Sequence, residues 1–292
     1  MPYKPYIDAD VTVNEDYITV SDGVALKTID FVPASNTPEK PVVIFIAGWI
    51  SSISGWEDVL KQLTPRYRTL YIETREKKSA KLPVGTSVNF SIGRMSKDIE
   101  ELLQQRVPPE RPFCFAGSSL GSTIILDYLS RDLRQPFDAF LIAPNCEFSF
   151  PLWFLLALRF LPPAFYTAIK PVVKWYLREI RLDKDKEPEQ VKKYEGTLDA
   201  AEPRRLKASA WALKDYSLWH KLPEIKAPVL IIGAESDLLH GVKEMERMVS
   251  LMPSARLEIM ASNKETHSEK AGKFIVKQIA IKNYNTRNLM PS

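Results

Sequence analysis

Two cysteines, three histidines and eleven glycines are the whole supply, in 292 residues, of the types that mark disulfide frameworks, metal sites and phosphate-binding loops. Cys114 and Cys146 both sit in apolar runs and read as reduced core residues, which excludes a disulfide scaffold and points to a reducing compartment. There is no His-Glu-x-x-His, no paired Cys-x-x-Cys, no Walker loop and no Gly-x-Gly-x-x-Gly between a strand and a helix, so neither metal nor cofactor is expected. Long hydrophobic runs are also missing. The most apolar window, Phe148 to Leu161, is interrupted by Arg159 and closed by Pro162-Pro163, too short for a bilayer span. Residues Met1 to Asp8 lack the apolar stretch of a secretory signal, and a cytoplasmic location is the expectation. The net charge is only +4, and Lys and Arg form no stripe interleaved with aromatics, so a nucleic-acid partner is not expected.

What is present is ordinary for a globular chain: 45% hydrophobic and 26% charged residues, with no low-complexity tract. The length suits one core carrying a large insertion. Tyr17–Val20 and Leu26–Val32 flank Ser21-Asp22-Gly23, which predicts an antiparallel hairpin. Val42–Ile46, Thr69–Ile72, Phe113–Ala116, Ala139–Ile142 and Val229–Ile232 are continuous apolar runs of the kind buried on both faces, and Leu257–Met260 reads as a last strand. Helical patterns lie between them at Trp56–Leu63, Arg94–Gln105, Thr123–Ser130 and Lys243–Val249, with a closing amphipathic helix over Glu269–Ile281. The alternation predicts an α/β fold, a mostly parallel eight-stranded sheet with helices on both faces. It breaks between Phe148 and Lys221, where prolines, aromatics and helical periodicity occur without a strand. Residues 148–221 are therefore expected to form an inserted helical subdomain, with 1–147 and 222–292 as the core. That insertion holds 14 Lys and Arg against 9 Asp and Glu, an excess of +5.

Gly117-Ser118-Ser119-Leu120-Gly121 joins the strand-like run Phe113–Ala116 to the helix-like run Thr123–Leu129. This is the context that G-x-S-x-G requires, with the central serine on a sharp turn and small residues two positions away on either side. Ser119 is the candidate nucleophile. The helix that follows aims free N–H groups at the same spot.

With the strand pattern and the helical insertion after the sixth strand, this elbow makes Tyr17 to Ile281 resemble the α/β-hydrolase family, of the capped serine esterase and thioesterase type. The resemblance implies an oxyanion hole built from the backbone N–H groups of Trp49, in Ile46-Ala47-Gly48-Trp49, and of Leu120. Ala47 stands where the family pattern has a histidine, a departure that touches the anchoring of this loop. The loop Glu73–Ser79 lacks both glycines of the family's pattern after the fourth strand. The family order Ser, acid, His selects His267, after the last strand, over His220 and His240. It also selects Asp237, after the seventh strand, as the acid, with Glu235 and Glu147 in reserve.

The activity so implied is hydrolysis of a carboxylic ester through an acyl-enzyme. Leu152–Leu161 is apolar nearly all round and must pack on something, whether the core, a lipid-like substrate or a membrane surface. Trp175-Tyr176-Leu177, Trp211 and Trp219 add aromatic surface, which favours a hydrophobic acyl chain or an aromatic ester. The basic excess suits a thioester on coenzyme A or an acyl carrier, or a phospholipid surface, while Lys184 to Lys193 reads as a solvated face. Carbon–carbon bond hydrolysis, lyase chemistry and a noncatalytic binding role remain open alternatives.

Overall fold

The computed structural model describes residues 2–8, 10–49, 51–131, 133–160, 162, 165, 170–172, 174–175, 196, 202–237 and 241–288. Tyr176, Leu177, the stretch 184–193 and His240 lie outside the described residues.

Among the described residues there are eight strands, β1 (Val11–Thr19), β2 (Ala25–Pro33), β3 (Val42–Ile46), β4 (Thr69–Ile72), β5 (Phe113–Ser118), β6 (Asp138–Ile142), β7 (Val229–Ala234) and β8 (Ala255–Met260). They form one sheet in the order β1-β2-β4-β3-β5-β6-β7-β8. β1 and β2 pair antiparallel through a turn at Gly23, whose φ of +80° only glycine adopts without strain, and β2 is antiparallel to β4. All remaining pairs are parallel. The mostly parallel α/β sheet expected from the alternation is what forms.

The inner strands split their side chains between two cores with the period of two that a pleated strand imposes. In β3, Val42, Ile44 and Ile46 face one core while Val43 and Phe45 face the other; in β5, Phe113 and Phe115 oppose Cys114 and Ala116. Helix α1 (Glu57–Leu63) and the closing helix Glu269–Asn288 cover the Phe45 face, through Val59, Leu60, Ala271 and Ile275. Helices α2 (Ile92–Arg106) and α3 (Leu120–Leu129) and the helix Val242–Leu251 cover the other. Burying each large aliphatic side chain this way contributes about 1.5–3 kcal/mol.

Between β6 and β7 the described residues contain no strand. They form helix α4 (Leu152–Phe160) and the helix Pro203–Leu213, which pack together. The chain leaves and re-enters the core at one neck, where Glu147 bridges Ser217 and the Leu218 N–H donates to the Cys146 carbonyl at 2.8 Å. α4 is less covered than its composition suggests: Leu152 is 71% and Phe160 73% exposed, while Phe154 packs against Phe150 and Trp153. No helix among the described residues is long and apolar enough to cross a membrane.

Candidate active site

At the carboxyl end of β5 the chain turns at once into α3, and the turn is made by Ser119 itself, at φ 46° and ψ −115°. A non-glycine residue holds such a backbone only where its surroundings over-determine it. Here the Ser119 N–H donates to the Ile142 carbonyl of β6 at 2.9 Å, and its own carbonyl accepts from the Thr123 N–H at 2.9 Å and from Thr123 Oγ1 at 3.1 Å. The flanking glycines are required by close approach, since neither has a positive φ. A Cβ on Gly121 would lie 2.0 Å from the Ile46 carbonyl oxygen; one on Gly117 would lie 2.6 Å from Ile125 Cδ1 and 3.1 Å from that same oxygen. The elbow thus packs closely under β3, most tightly at Gly121. Leu120 is the first residue of α3, so its N–H belongs to the set that a helix cannot satisfy internally.

The loop after β3 lies against this turn. A Cβ built on Gly48 would sit 3.4 Å from Ser119 Cβ, which places the Gly48-Trp49 peptide beside the serine. Trp49 Nε1–H donates to Ser209 Oγ, on the helix Pro203–Leu213, at 3.0 Å. Lys77, from the loop after β4, donates from Nζ to the carbonyls of Gly48 at 2.9 Å and Ser51 at 2.8 Å. Burial pushes its ammonium below the usual lysine range, against the pull of Glu76 and Glu73. Its neighbour Arg75, fully buried, bonds Asp98 through Nε and Nη2 at 2.7 and 2.6 Å, and through Nη1 it bonds Asp22 at 2.7 Å and the Asn89 carbonyl at 2.8 Å. Arg205 Nη1 closes the group from the Pro203–Leu213 helix, donating to the carbonyls of Lys77 and, at 2.9 Å, Ala80. The glycine-poor Glu73–Ser79 loop is thereby a buried polar frame.

His267 follows β8 on the short helical turn Asn263–Thr266. Its Nδ1 lies 3.0 Å from the Asn263 carbonyl and 2.9 Å from Thr266 Oγ1. Because a carbonyl oxygen can only accept, this contact suits the tautomer with the ring proton on Nδ1 and the lone pair on Nε2. The imidazole stacks on Trp56, 4.3 Å between centroids. Asp237, 8% exposed, follows β7, and the Ser236 hydroxyl beside it accepts the Asn263 N–H at 3.1 Å, tying the acid's loop to the histidine's turn. The reserves fit less well: Glu235 is exposed, and Glu147, also exposed, accepts from Trp219 Nε1 at 3.1 Å. His220 is exposed on the 3-10 turn Trp219–Glu224.

Ser119, Trp49, Leu120, Asp237 and His267 thus all stand at the carboxyl ends of parallel strands, where open α/β sheets place their sites. Three neighbours of Ser119 and His267 carry no sequence signal, Lys77, Trp56 and Ser209, and a fourth, Asn145, whose Nδ2 approaches Ser119 Oγ at 3.5 Å, carries little. Asn145 had one usable cue, its position just past β6. The other three depend on contacts between distant segments.

A family model described as serine aminopeptidase, S33, matches residues 87–268, a span that includes Ser119, Asp237 and His267. A search of the curated proteins finds no match. Solved structures share the fold: the enol-lactonase from Burkholderia xenovorans LB400 (TM-score 0.71, 17% identity, covering 91% of this chain and 100% of that one), an esterase from Thermogutta terrifontis (0.70, 16%, 92% and 99%) and an esterase from Exiguobacterium antarcticum (0.68, 18%, 91% and 100%). With the family model covering more than half of it, the chain is a hydrolase of the α/β-hydrolase fold and belongs to the serine aminopeptidase, S33, family.

Proposed function

We propose that the protein is a serine esterase that cleaves carboxylic esters of hydrophobic acyl chains or aromatic groups through an acyl-enzyme on Ser119. The observation that carries this reading is the backbone of Ser119, held at positive φ between β5 and α3 with the Gly48-Trp49 peptide against it. His267 Nε2 takes the Ser119 proton as Oγ bonds to the acyl carbon, and the carbonyl oxygen becomes an oxyanion facing the N–H groups of Trp49 and Leu120. Collapse breaks the ester bond, and the proton passes from His267 to the departing alcohol. Water, deprotonated in turn by His267, then releases the acid. Asp237, from its buried loop, stabilises the imidazolium that forms at each step.

Residues 148–221 act in this reading as a cap over the site. The Trp49–Ser209 bond and the reach of Arg205 to the loop after β4 support that placement. The exposed apolar side chains of Leu152, Leu156 and Phe160 favour a lipid-like acyl group or contact with a membrane surface. The basic excess of the same segment favours, as a second reading, a thioester on an anionic carrier such as coenzyme A.

The test is hydrolysis of p-nitrophenyl acetate, butyrate, octanoate and palmitate by wild type and Ser119→Ala, beside an acyl-coenzyme A panel. Turnover that disappears in the variant and peaks on the longer chains supports the proposal. Best turnover on acetate would overturn the substrate class, and a better thioester panel would select the second reading.

A further inference from the structure

We infer that Lys77 is a positioning residue for the oxyanion hole, and that it anchors the loop in place of the histidine expected where Ala47 stands. The inference rests on the oxyanion role proposed above for the Trp49 N–H. It deepens that role by naming what aims the group.

A peptide bond is planar and trans, so the Gly48 carbonyl and the Trp49 N–H belong to one rigid unit and point in opposite directions. Lys77 Nζ binds the Gly48 oxygen at 2.9 Å, on the side of that unit away from the N–H. Fixing the oxygen therefore fixes the direction of the donor. A cation on the carbonyl also draws electron density through the amide, which strengthens the N–H as a donor. The second bond, to the Ser51 carbonyl at 2.8 Å, ties down the far end of the same turn, and the Ser51 N–H itself donates to the Gly48 oxygen at 3.1 Å.

Lys77 is itself firmly held. Its side chain is 7% exposed, Glu76 supplies a counter-charge with Oε1 at 3.9 Å, and Thr74 Oγ1 fixes that carboxylate at 2.7 Å. Its backbone closes a turn onto the Thr74 carbonyl at 3.0 Å, and Arg75 beside it is locked by Asp98 and Asp22. An ammonium buried this deeply, and spent on two loop carbonyls, suits a device that resists motion of the loop. On the other side, Trp49 is held by its indole bond to Ser209. The peptide that carries the donor is thus held at the Gly48 oxygen by Lys77 and through the Trp49 side chain by Ser209, beside Ser119.

The experiment compares wild type, Lys77→Met and Lys77→Gln, each at a temperature where its melting curve shows it folded; Gln keeps a neutral donor should Met fail to fold. Three quantities are read: kcat and KM on the best p-nitrophenyl ester, inhibition by a decyl trifluoromethyl ketone, and inhibition by decyl methyl ketone. Ser119 Oγ adds to the fluorinated carbonyl and passes its proton to His267, leaving an oxyanion in the hole; the methyl ketone binds without this addition. The expected result is a fall in kcat on the order of 10- to 100-fold, an equal loss of affinity for the fluorinated ketone, and KM and methyl-ketone affinity within about 3-fold of wild type. A folded variant that keeps wild-type kcat and fluorinated-ketone affinity overturns the inference and leaves the esterase reading standing. So does an equal loss on both ketones, the mark of a merely structural lysine. Wild type that neither turns over ester nor labels with a fluorophosphonate overturns the esterase reading first, and the inference with it.

Discussion

The His267 imidazole lies over the Trp56 indole, 4.3 Å between ring centroids and 31° between planes, and Trp56 donates Nε1–H to Ser51 Oγ at 3.3 Å. One buried side chain, 1% exposed, therefore serves as the platform for the proposed base and as a strut for the loop beside Ser119. An aromatic face under an imidazole also favours its charged form, which appears during attack.

Trp56→Phe should separate these roles, because it keeps a ring under His267 and removes the Ser51 bond. The expected loss is about 1–2 kcal/mol in urea denaturation, with kcat/KM lowered about 3- to 10-fold. Trp56→Ala, which also empties the core space beside Phe45, should lose about 3–5 kcal/mol. Equal activity in all three proteins would remove Trp56 from the site.

The two elbow glycines should differ in what they tolerate. Alanine at 121 meets a backbone oxygen at 2.0 Å, which cannot yield without moving β3, whereas alanine at 117 meets chiefly the end of a flexible isoleucine at 2.6 Å. Gly117→Ala is expected to lose about 1–3 kcal/mol and Gly121→Ala distinctly more, to the point of poor folding. Thermal melting of the pair decides it; the reverse order would mean that the elbow sits differently under β3.

Alkaline pH should weaken the fold through its thiols. Burial, with a smaller contribution from Glu147, pushes the Cys146 thiol up to about 12, while in the unfolded chain it returns to its ordinary value near 9. Between those limits the unfolded state binds fewer protons than the native one, so stability falls as pH rises, by about 2 kcal/mol from pH 9 to pH 11 for this group. Urea titrations at intervals across that range should show the decline, and Cys146→Ala should remove its share of it while leaving that of Cys114, whose thiol burial also pushes up. In native buffer at neutral pH neither buried cysteine should react with a thiol reagent, so a thiol-based acyl-coenzyme A assay reads released coenzyme alone.

Much of this molecule was legible before its structure. Continuous Val, Ile, Leu and Phe runs mark β3 to β7 because strands covered on both faces need no polar alternation, and Gly117 to Gly121 mark the elbow because both flanks pass close to the Ile46 carbonyl, where the smallest residue fits best. The apolar pattern marks β1 only from Tyr17, whereas the strand begins at Val11, since an edge strand carries Asn14, Glu15 and Asp16 toward solvent and loses the apolar signal there. α2 begins at Ile92 rather than Arg94, under a Ser91 cap that accepts the Arg94 N–H. From sequence the loop after β4 is only a departure from the family pattern. Its meaning lay in partners far along the chain, Asp22 and Asp98 for Arg75 and Gly48 for Lys77, and no local pattern announces such pairings.

That loop also constrains how this sequence can change. Arg75 shares Asp98 with Arg94, Arg94 shares Glu101 with Ser21, and Asp22 touches both arginines. Removing Arg75 or Asp98, the two members whose side chains are almost fully buried, leaves the other buried charge short of its partner, a loss of up to about 3–5 kcal/mol, whereas exchanging the set together need lose little. Substitutions here are therefore epistatic. A glycine-bearing loop grafted from a relative would be tolerated only with Asp22, Arg94 and Asp98 replaced alongside it, and with some new hold on the Gly48 carbonyl.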